Sequence, residues 1–287
     1  MNDEKAIHKL RRMCEFSCEL EDGFCTDISF HTEDDAFGGT IRRHPHKDEI
    51  VGVVSNFPRL RRLNFRRCKI GYVPNLRSQE VEYLDMSCND ITTVPEKVLE
   101  DQPLRFLNLG ANNLAELPDL SHLPLETLKL HKNVELKSLP LIPKGIKSMN
   151  LFLLCKMTRI PEVVFDLPLE VFSFGVTKLD HLPSLSRLSQ LRWLTLTVNQ
   201  FDKLPDDICS LSKLEGLWLA KNKLKSLPDR MGDMNLKTLT VYGNNIEKLP
   251  DSFFQLKLQK LNVARNPLSN MQRVIDSFSH IEFLRTA

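Results

Sequence analysis

Four residues near the amino terminus have the side chains that zinc prefers. Cys14, Cys18, Cys25 and His31 would supply three thiolates and one imidazole, which are common ligands of structural zinc sites. Their spacings, with three, six and five intervening residues, match no common zinc module. Because cysteine is also an ordinary buried residue, we predict that this segment packs as a cap without a metal.

Residues that could support catalysis are scattered along the chain. The eight histidines form no known motif, and the sequence contains no Gly-x-Ser-x-Gly elbow, phosphate-binding loop or HExxH. His131, beside Lys129 and Lys132, is the one histidine predicted on the inner face of a strand, where we expect a solvated side chain. The sequence therefore predicts a protein that is not an enzyme and uses no cofactor.

Composition and charge argue against several classes of function. The chain has 287 residues, 26% of them charged, and a formal net charge of +2, so no global field favours nucleic acid or an anionic membrane. The amino-terminal stretch lacks the apolar core of a secretory signal, and no segment has the run of about 18 apolar residues typical of a membrane span. Seven scattered cysteines indicate a reducing compartment, and we expect a cytoplasmic location.

A repeat of 21 to 23 residues supplies the elements that position these side chains. The stretch 214–228, LEGLWLAKNKLKSLP, recurs ten times, and each copy but the last is followed by an apolar-proline pair such as Leu227-Pro228. The first apolar residue of each copy, here position 1, is Leu60, Val81, Leu104, Leu125, Ile146, Leu169, Leu191, Leu214, Leu236 or Leu258.

The ninth position of each copy is the most informative. Its side chain must bond backbone groups of adjoining turns that would otherwise be buried without partners. We assign this polar ladder to Cys68, Asn89, Asn112, Asn133, Cys155, Thr177, Asn199, Asn222, Asn244 and Asn266.

The pattern resembles the leucine-rich repeat, L-x-x-L-x-L-x-x-N/C-x-L, over about residues 56–271. Its Leu-Pro step is most similar to the short intracellular subclass of Ras-pathway scaffolds, plant Ras-group proteins and bacterial effectors. The resemblance implies an α/β solenoid of about ten repeats, with a curved parallel β-sheet on the concave face and short helices or extended turns on the convex face. We expect an amino-terminal cap over 1–55 (helix, hairpin, loop and helix), repeats over 56–268 and a carboxy-terminal cap over 269–287.

Positions 3, 5, 7 and 8 of each copy point out of the inner sheet and are predicted to have no packing role, so their identities report function. Copies five to nine carry an apolar group there, and both tryptophans belong to it. An apolar patch rimmed by charge is typical of a partner site, although adjacent aromatics could instead only shield the sheet. The predicted partner-binding residues are Trp193, Trp218, Tyr242, Phe152, Leu153, Phe106, Val198, Arg62, Arg66, Arg67, Lys221 and Arg265.

The arginines of the first copy leave two interpretations open. Arg62, Arg66 and Arg67 could bind phosphate or an acidic partner segment, or they could pair with acidic residues of the amino-terminal cap. Aromatic residues are not interleaved with this basic end in the sequence, so we do not expect a nucleic-acid site.

These features predict a non-enzymatic module, monomeric in isolation, that binds a partner protein on its concave face as an adaptor or scaffold. Two alternatives remain. The chain could be the substrate-recognition part of a ubiquitin-ligase or phosphatase complex, or a bacterial effector that acts inside a host cell. We expect no metal, no nucleic acid and no membrane among its partners.

Overall fold

The computed structural model describes residues 3–12, 16–30, 47–76, 79–176 and 182–286. The chain divides into two compact units, Met1–Gly145 and Ile146–Ala287. Each unit is a stretch of leucine-rich-repeat solenoid, in which parallel strands follow one another in chain order.

The first unit begins with helices and a hairpin and continues into four repeats. Strands β1 and β2 pair antiparallel, and each later strand pairs parallel with the one before it. The helices are α1 (Asp3–Arg11) and α2 (Lys47–Val54), and the strands are β1 (Phe16–Glu21), β2 (Phe24–Phe30), β3 (Arg62–Asn64), β4 (Tyr83–Asp85), β5 (Phe106–Asn108) and β6 (Thr127–Lys129).

The second unit contains six repeats and a terminal strand, paired parallel in order from β7 to β13. Helix α3 (Met271–Phe278) follows the last repeat. The strands are β7 (Ser148–Phe152), β8 (Val171–Gly175), β9 (Trp193–Thr195), β10 (Gly216–Trp218), β11 (Thr238–Thr240), β12 (Lys260–Asn262) and β13 (Phe283–Arg285).

Prolines of the apolar-proline pairs begin most of the return segments that contain a 3₁₀ turn. Four of the 3₁₀ turns begin directly after Pro95, Pro161, Pro205 and Pro250, whose φ angles lie between −58° and −66°. Proline fixes this φ and has no N–H to leave unpaired, so it suits the first position of a turn. The turns are Glu96–Val98, Glu162–Asp166, Asp206–Ser210 and Asp251–Gln255, and a fifth covers Met231–Asp233.

Side chains at positions 4 and 6 form the core of both units. Leu194, Leu196, Leu217 and Leu219 are each 0% exposed. Burying such a side chain stabilises the fold by about 1.5 to 3 kcal/mol relative to exposure. Neighbouring repeats supply that burial to one another, which is why the repeats fold only as a stack.

Charged side chains at position 2 alternate in sign along each unit. The carboxylate of Glu215 lies 2.7 Å from both Arg192 Nη2 and Lys237 Nζ, and Arg105 Nη1 lies 2.7 Å from Glu126 Oε1. Glu215 and Glu126 therefore each lie beside a cation of an adjacent repeat. The position 2 residues are Arg61, Glu82, Arg105 and Glu126 in the first unit and Lys147, Glu170, Arg192, Glu215 and Lys237 in the second, followed by Gln259.

The termini agree with the sequence in outline. The predicted hairpin turns at Asp22-Gly23, whose φ angles are 52° and 79°. Ser269 and Gln272, three residues apart at the start of the last helix, predict a capping box there, and that prediction is wrong. Ser269 Oγ donates to the carbonyl of Glu247, and Gln272 donates to Asp276, so neither caps α3. The predicted loop over 31–47 lies mostly outside the described residues.

Candidate functional site

The ninth-position asparagines make the hydrogen bonds that the sequence predicts. Asn222 Nδ2 donates to the carbonyls of Leu196 and Leu219 at 2.8 and 3.0 Å, and its Oδ1 accepts from the Phe201 N–H. One side chain thus connects two successive repeats. Asn89, Asn112, Asn133, Asn244 and Asn266 repeat this pattern.

The polar ladder needs a correction in the fifth repeat. Position 8 has a positive φ in all ten repeats, and in the fifth repeat Leu153 has it at 62°. The ninth position is therefore Leu154, which is fully buried, and not Cys155. Of the remaining assignments, Cys68 donates to the Arg66 carbonyl, Asn199 donates to the Leu196 carbonyl, and Thr177 lies outside the described residues.

With its left-handed backbone, position 8 continues the backbone hydrogen bonding between neighbouring repeats beyond the ends of the strands. The Val198 N–H donates to the Ala220 carbonyl, and the Lys221 N–H donates to the Tyr242 carbonyl. Only Gly243 has the residue type that this conformation favours, while β-branched Val176 and Val198 have φ angles of 56° and 59°. A left-handed β-branched residue is strained.

We call the side of each sheet that carries positions 3, 5, 7 and 8 its open face. On the open face of the second unit, Trp193 and Trp218 stack with ring centroids 5.7 Å apart and an interplanar angle of 28°. Both rings lie against the backbone of Gly216, where an added methyl group would overlap Trp193 and approach Trp218 within 2.7 Å. Gly216 thus makes room for the pair, and both tryptophans are half-buried.

Glycine makes room for a second aromatic ring on the same face. Phe152 lies over Gly175, where a methyl group would come within 2.7 Å of the ring. Tyr242 lies beneath the guanidinium of Arg265, 5.3 Å from the ring centroid. Of the other predicted residues in this unit, Leu153 and Val198 are half-buried, and Lys221 is exposed. The two glycines were missed by sequence reasoning, although each lies one repeat after an aromatic residue.

The expectation that open-face positions have no packing role is wrong for part of the first unit. Asp85, Ser87 and Asn108 are all buried. The Asp85 carboxylate accepts from the Ser87 N–H and hydroxyl and from Asn108 Nδ2, at 2.6 to 2.9 Å. At position 5, an aspartate or asparagine therefore caps the turn that follows the strand.

A row of stacked cations and rings crosses the open face of the first unit. The Arg62 guanidinium lies 4.1 Å from the centroid of Tyr83, which stacks on Phe106 at 4.1 Å. Lys129 Nζ lies 5.1 Å from the centroid of Phe106. Aromatic residues are thus interleaved with the basic end, contrary to the sequence-based expectation, because Tyr83 and Phe106 come from later repeats.

The arginines of the first repeat have different environments. Arg62 Nε pairs with Asp27 at 2.9 Å, so for Arg62 the second of the two interpretations, pairing with the cap, is present. Arg61 lies 3.9 Å from Glu21. Arg66 is exposed and has no ion pair with any described residue. Arg67 is half-buried in the left-handed conformation. The predicted acidic partners Glu33, Asp34 and Asp35 lie outside the described residues.

His131 differs from the expected solvated histidine. Its imidazole lies over Gly110, and its Nδ1 is buried without a hydrogen-bond partner among the described residues. Burial, and then the nearby cations Lys132 and Lys129, lower the pKa of His131 below its usual value of 6.5.

The candidate zinc ligands are only partly described, because Cys14 and His31 fall outside the described ranges. Burial and the neighbouring Cys18 raise the pKa of Cys25 to about 12. Among the described residues, no three His, Cys, Asp or Glu side chains form a metal-binding group. No disulfide joins any two of the six described cysteines.

The predicted partner-binding residues fall into two groups, one in each unit. Phe106 and the three arginines belong to the first, and the remaining eight residues belong to the second. No described helix has the length and apolar character to span a membrane.

Comparisons with known proteins agree with the repeat geometry. Leucine Rich Repeat family models match residues 235–256 and 78–94. The chain is 26% identical over 83% of its length to the Arabidopsis thaliana Protein SUPPRESSOR OF npr1-1, CONSTITUTIVE 1, and covers 17% of that protein. It is 32% identical over 42% of its length to the probable inactive serine/threonine-protein kinase roco10 of Dictyostelium discoideum, and covers 5% of it.

Among solved structures, the leucine-rich effector protein YopM from Yersinia pestis matches with a TM-score of 0.58 and 27% identity. The match covers 79% of this chain and 64% of that one. The chain thus spans 17% and 5% of the lengths of the two curated relatives, and less than two thirds of the length of YopM. Its repeat geometry, the two family matches and these likenesses identify the chain as a leucine-rich-repeat protein.

Proposed function

We propose that the protein is a non-enzymatic adaptor that binds a partner protein on the open face of the second unit. The observation that carries this proposal is the Trp193–Trp218 pair on Gly216, because both tryptophans of the chain lie there. Half-buried, pre-positioned aromatic side chains lose little conformational entropy on binding and are frequent anchors of protein interfaces.

The charge of the surrounding surface supports a protein partner. None of the open-face positions in the six repeats of the second unit is Asp or Glu, whereas Lys221, Lys260 and Arg265 lie around the apolar group. A core of aromatic and apolar residues with a charged rim is the usual composition of an interface. The partner surface should therefore combine apolar side chains with acidic ones.

The subclass, the cytoplasmic location, the monomeric state and the division into caps and repeats are part of the same proposal and rest on the sequence. A second candidate is an effector that acts inside a host cell. The likeness to YopM, a leucine-rich effector protein of Yersinia pestis, favours this candidate.

The proposal is tested by affinity purification with quantitative mass spectrometry. The bait would be compared with a variant that carries Trp193→Thr and Trp218→Thr, because threonine already occupies positions 3 and 5 in Thr238 and Thr240. Lys225→Gln, at an exposed site beyond the strand, serves as the control. A partner should be depleted by the tryptophan variant alone. Equal recovery with all three folded baits would contradict the proposal.

A further inference from the structure

The open face of the first unit carries a second, electrostatically distinct surface. It consists of Arg62, Tyr83, Phe106 and Lys129 in one stacked row, together with Arg66 and Lys132. We call these six residues the basic row. We propose that the basic row binds an acidic segment of a partner protein. The inference rests on the proposed function in one respect, which is that the partner is a protein.

Charge complementarity is the first argument. Strands β2 to β6 present two carboxylates on this face, Asp27 and Asp85. Asp27 is paired with Arg62, and Asp85 is buried and accepts three hydrogen bonds. Arg66 and Lys132 are exposed and have no ion pair with any described residue. The face therefore has uncompensated positive charge that carboxylates of a partner could neutralise.

The arrangement of the rings selects a peptide over nucleic acid. One face of the Tyr83 ring is covered by Arg62 and the other by Phe106, and the outer face of Phe106 is covered by Lys129. Single-stranded nucleic acid is held largely by bases stacking on free aromatic faces. Here the rings stack on each other and on Arg62 and Lys129, and the edge of an aromatic ring carries the positive end of its quadrupole. Ring edges flanked by cations favour carboxylates.

The width of the row predicts the spacing of the acidic residues. Arg66 belongs to the repeat of β3, and Lys132 belongs to the repeat of β6. Three strand spacings separate them, which is about 14 Å. An extended chain that crosses the strands covers this distance in about four residues. The segment should therefore carry two acidic residues about four positions apart.

His131 supplies a reporter beside the row. The charged groups that lower or raise its pKa are Lys132 and Lys129 on its own repeat, Asp85 of β4 and Arg66 of the first repeat. A carboxylate bound between these cations would raise the pKa of His131, whereas a peptide bound elsewhere would not.

The test is isothermal titration of the full chain with short synthetic peptides in which two glutamates are spaced about four residues apart. The variant is Arg66→Gln with Lys132→Gln, and the matched control is Lys223→Gln with Lys225→Gln, two exposed lysines of the second unit that lie off its open face. We expect the variant to bind about tenfold more weakly, from two lost ion pairs worth about 0.7 kcal/mol each, and the control to bind unchanged. High salt should weaken binding, and NMR should show a raised His131 pKa in the complex.

Several results would overturn the inference. These are the absence of peptide binding by the wild-type chain, equal weakening in both charge variants, and an unchanged His131 pKa in the complex. An oligothymidine that binds more tightly than the peptide, with the same sensitivity to Arg66→Gln and Lys132→Gln, would assign the surface to nucleic acid. Because the probe is synthetic and the Trp193–Trp218 pair is left intact, failure here leaves the proposed function untouched.

Discussion

Trp193 and Trp218 stack at 5.7 Å over a residue that has no side chain, Gly216, which lies between them on the open face of the second unit. The glycine precedes Trp218 by two positions on the same strand and pairs directly with Trp193 on the neighbouring strand. Any larger residue at this position would have to displace one or both rings. The geometry of the proposed anchor therefore depends on a residue that contacts no partner through a side chain of its own.

Replacing that glycine should disturb both tryptophans. Gly216→Ala adds a methyl group that overlaps the Trp193 ring, and we expect a loss of about 1 to 3 kcal/mol of unfolding free energy from overpacking. Urea denaturation, monitored by tryptophan fluorescence, measures this difference in the free energy of unfolding. Gly71→Ala is the matched control, since an added methyl group there has no neighbour within 4 Å. Equal effects of the two changes would show that Trp193 and Trp218 do not lie over Gly216.

The corrected ladder makes different predictions for Asn222 and Cys155. Asn222→Leu removes the partners of the Phe201 N–H and of two buried carbonyls, so we expect it to cost about 3 kcal/mol or more. Cys155→Ala should cost less than about 1 kcal/mol, because Leu154 occupies the ninth position. Chemical denaturation of both variants decides the register, and a larger cost at Cys155 would refute it.

The left-handed valines provide a test of strain at the open face. Val198→Asn should stabilise the fold by about 1 kcal/mol, because asparagine tolerates the positive φ that strains valine. Thr197→Asn, one position earlier, is the control and should bring no such gain. Thermal unfolding compares them. A lower unfolding temperature for Val198→Asn than for the wild type would show that the strain is absent. If Val198 also contacts the partner, Val198→Asn should bind the partner more weakly than the wild type does.

The alternating charges at position 2 predict a pH dependence. Hydrogen bonds from Lys237 and then from Arg192 lower the pKa of Glu215 below its usual 4.5. A carboxyl with a lowered folded-state pKa stabilises the fold above its unfolded pKa, and this contribution is lost as the pH falls through the folded value. Glu215→Gln should therefore destabilise at pH 7 and match the wild type in strong acid. Glu215→Lys should destabilise further at neutral pH, because it places three cations in a row.

A constant difference between wild type and Glu215→Gln at every pH would contradict the ion-pair assignment. Glu247→Gln is the control, since Glu247 is exposed and forms no ion pair with a described residue.

The repeat spacing predicts most of the fold, and it does so for a physical reason. Leucines at fixed positions require stacked parallel strands, and the asparagines require adjoining turns whose backbone groups they bond. The fifth repeat was misassigned because Leu154 interrupts the polar ladder, and polarity alone then selected the next polar residue, Cys155. The positive φ of Leu153 shows the correct register, and this signal is not visible in the residue types.

The site was less predictable, because its geometry depends on contacts between repeats. Trp193 and Trp218 were placed on the open face from the spacing alone. Their shared contact with Gly216 required the pairing of β9 with β10. Similarly, Arg62 and Tyr83 lie 21 residues apart in the sequence, yet the parallel pairing of β3 with β4 places the Arg62 guanidinium over the Tyr83 ring.

The most direct test of the central claim uses the two tryptophans themselves. The chain would be labelled with fluorotryptophan and titrated with the partner recovered by affinity purification, while two ¹⁹F resonances, one for each tryptophan, are followed by NMR. If the open face of the second unit is the binding site, both resonances shift as the complex forms. If the complex forms while both resonances remain at their original positions, the tryptophans only shield the sheet and the proposed site is wrong.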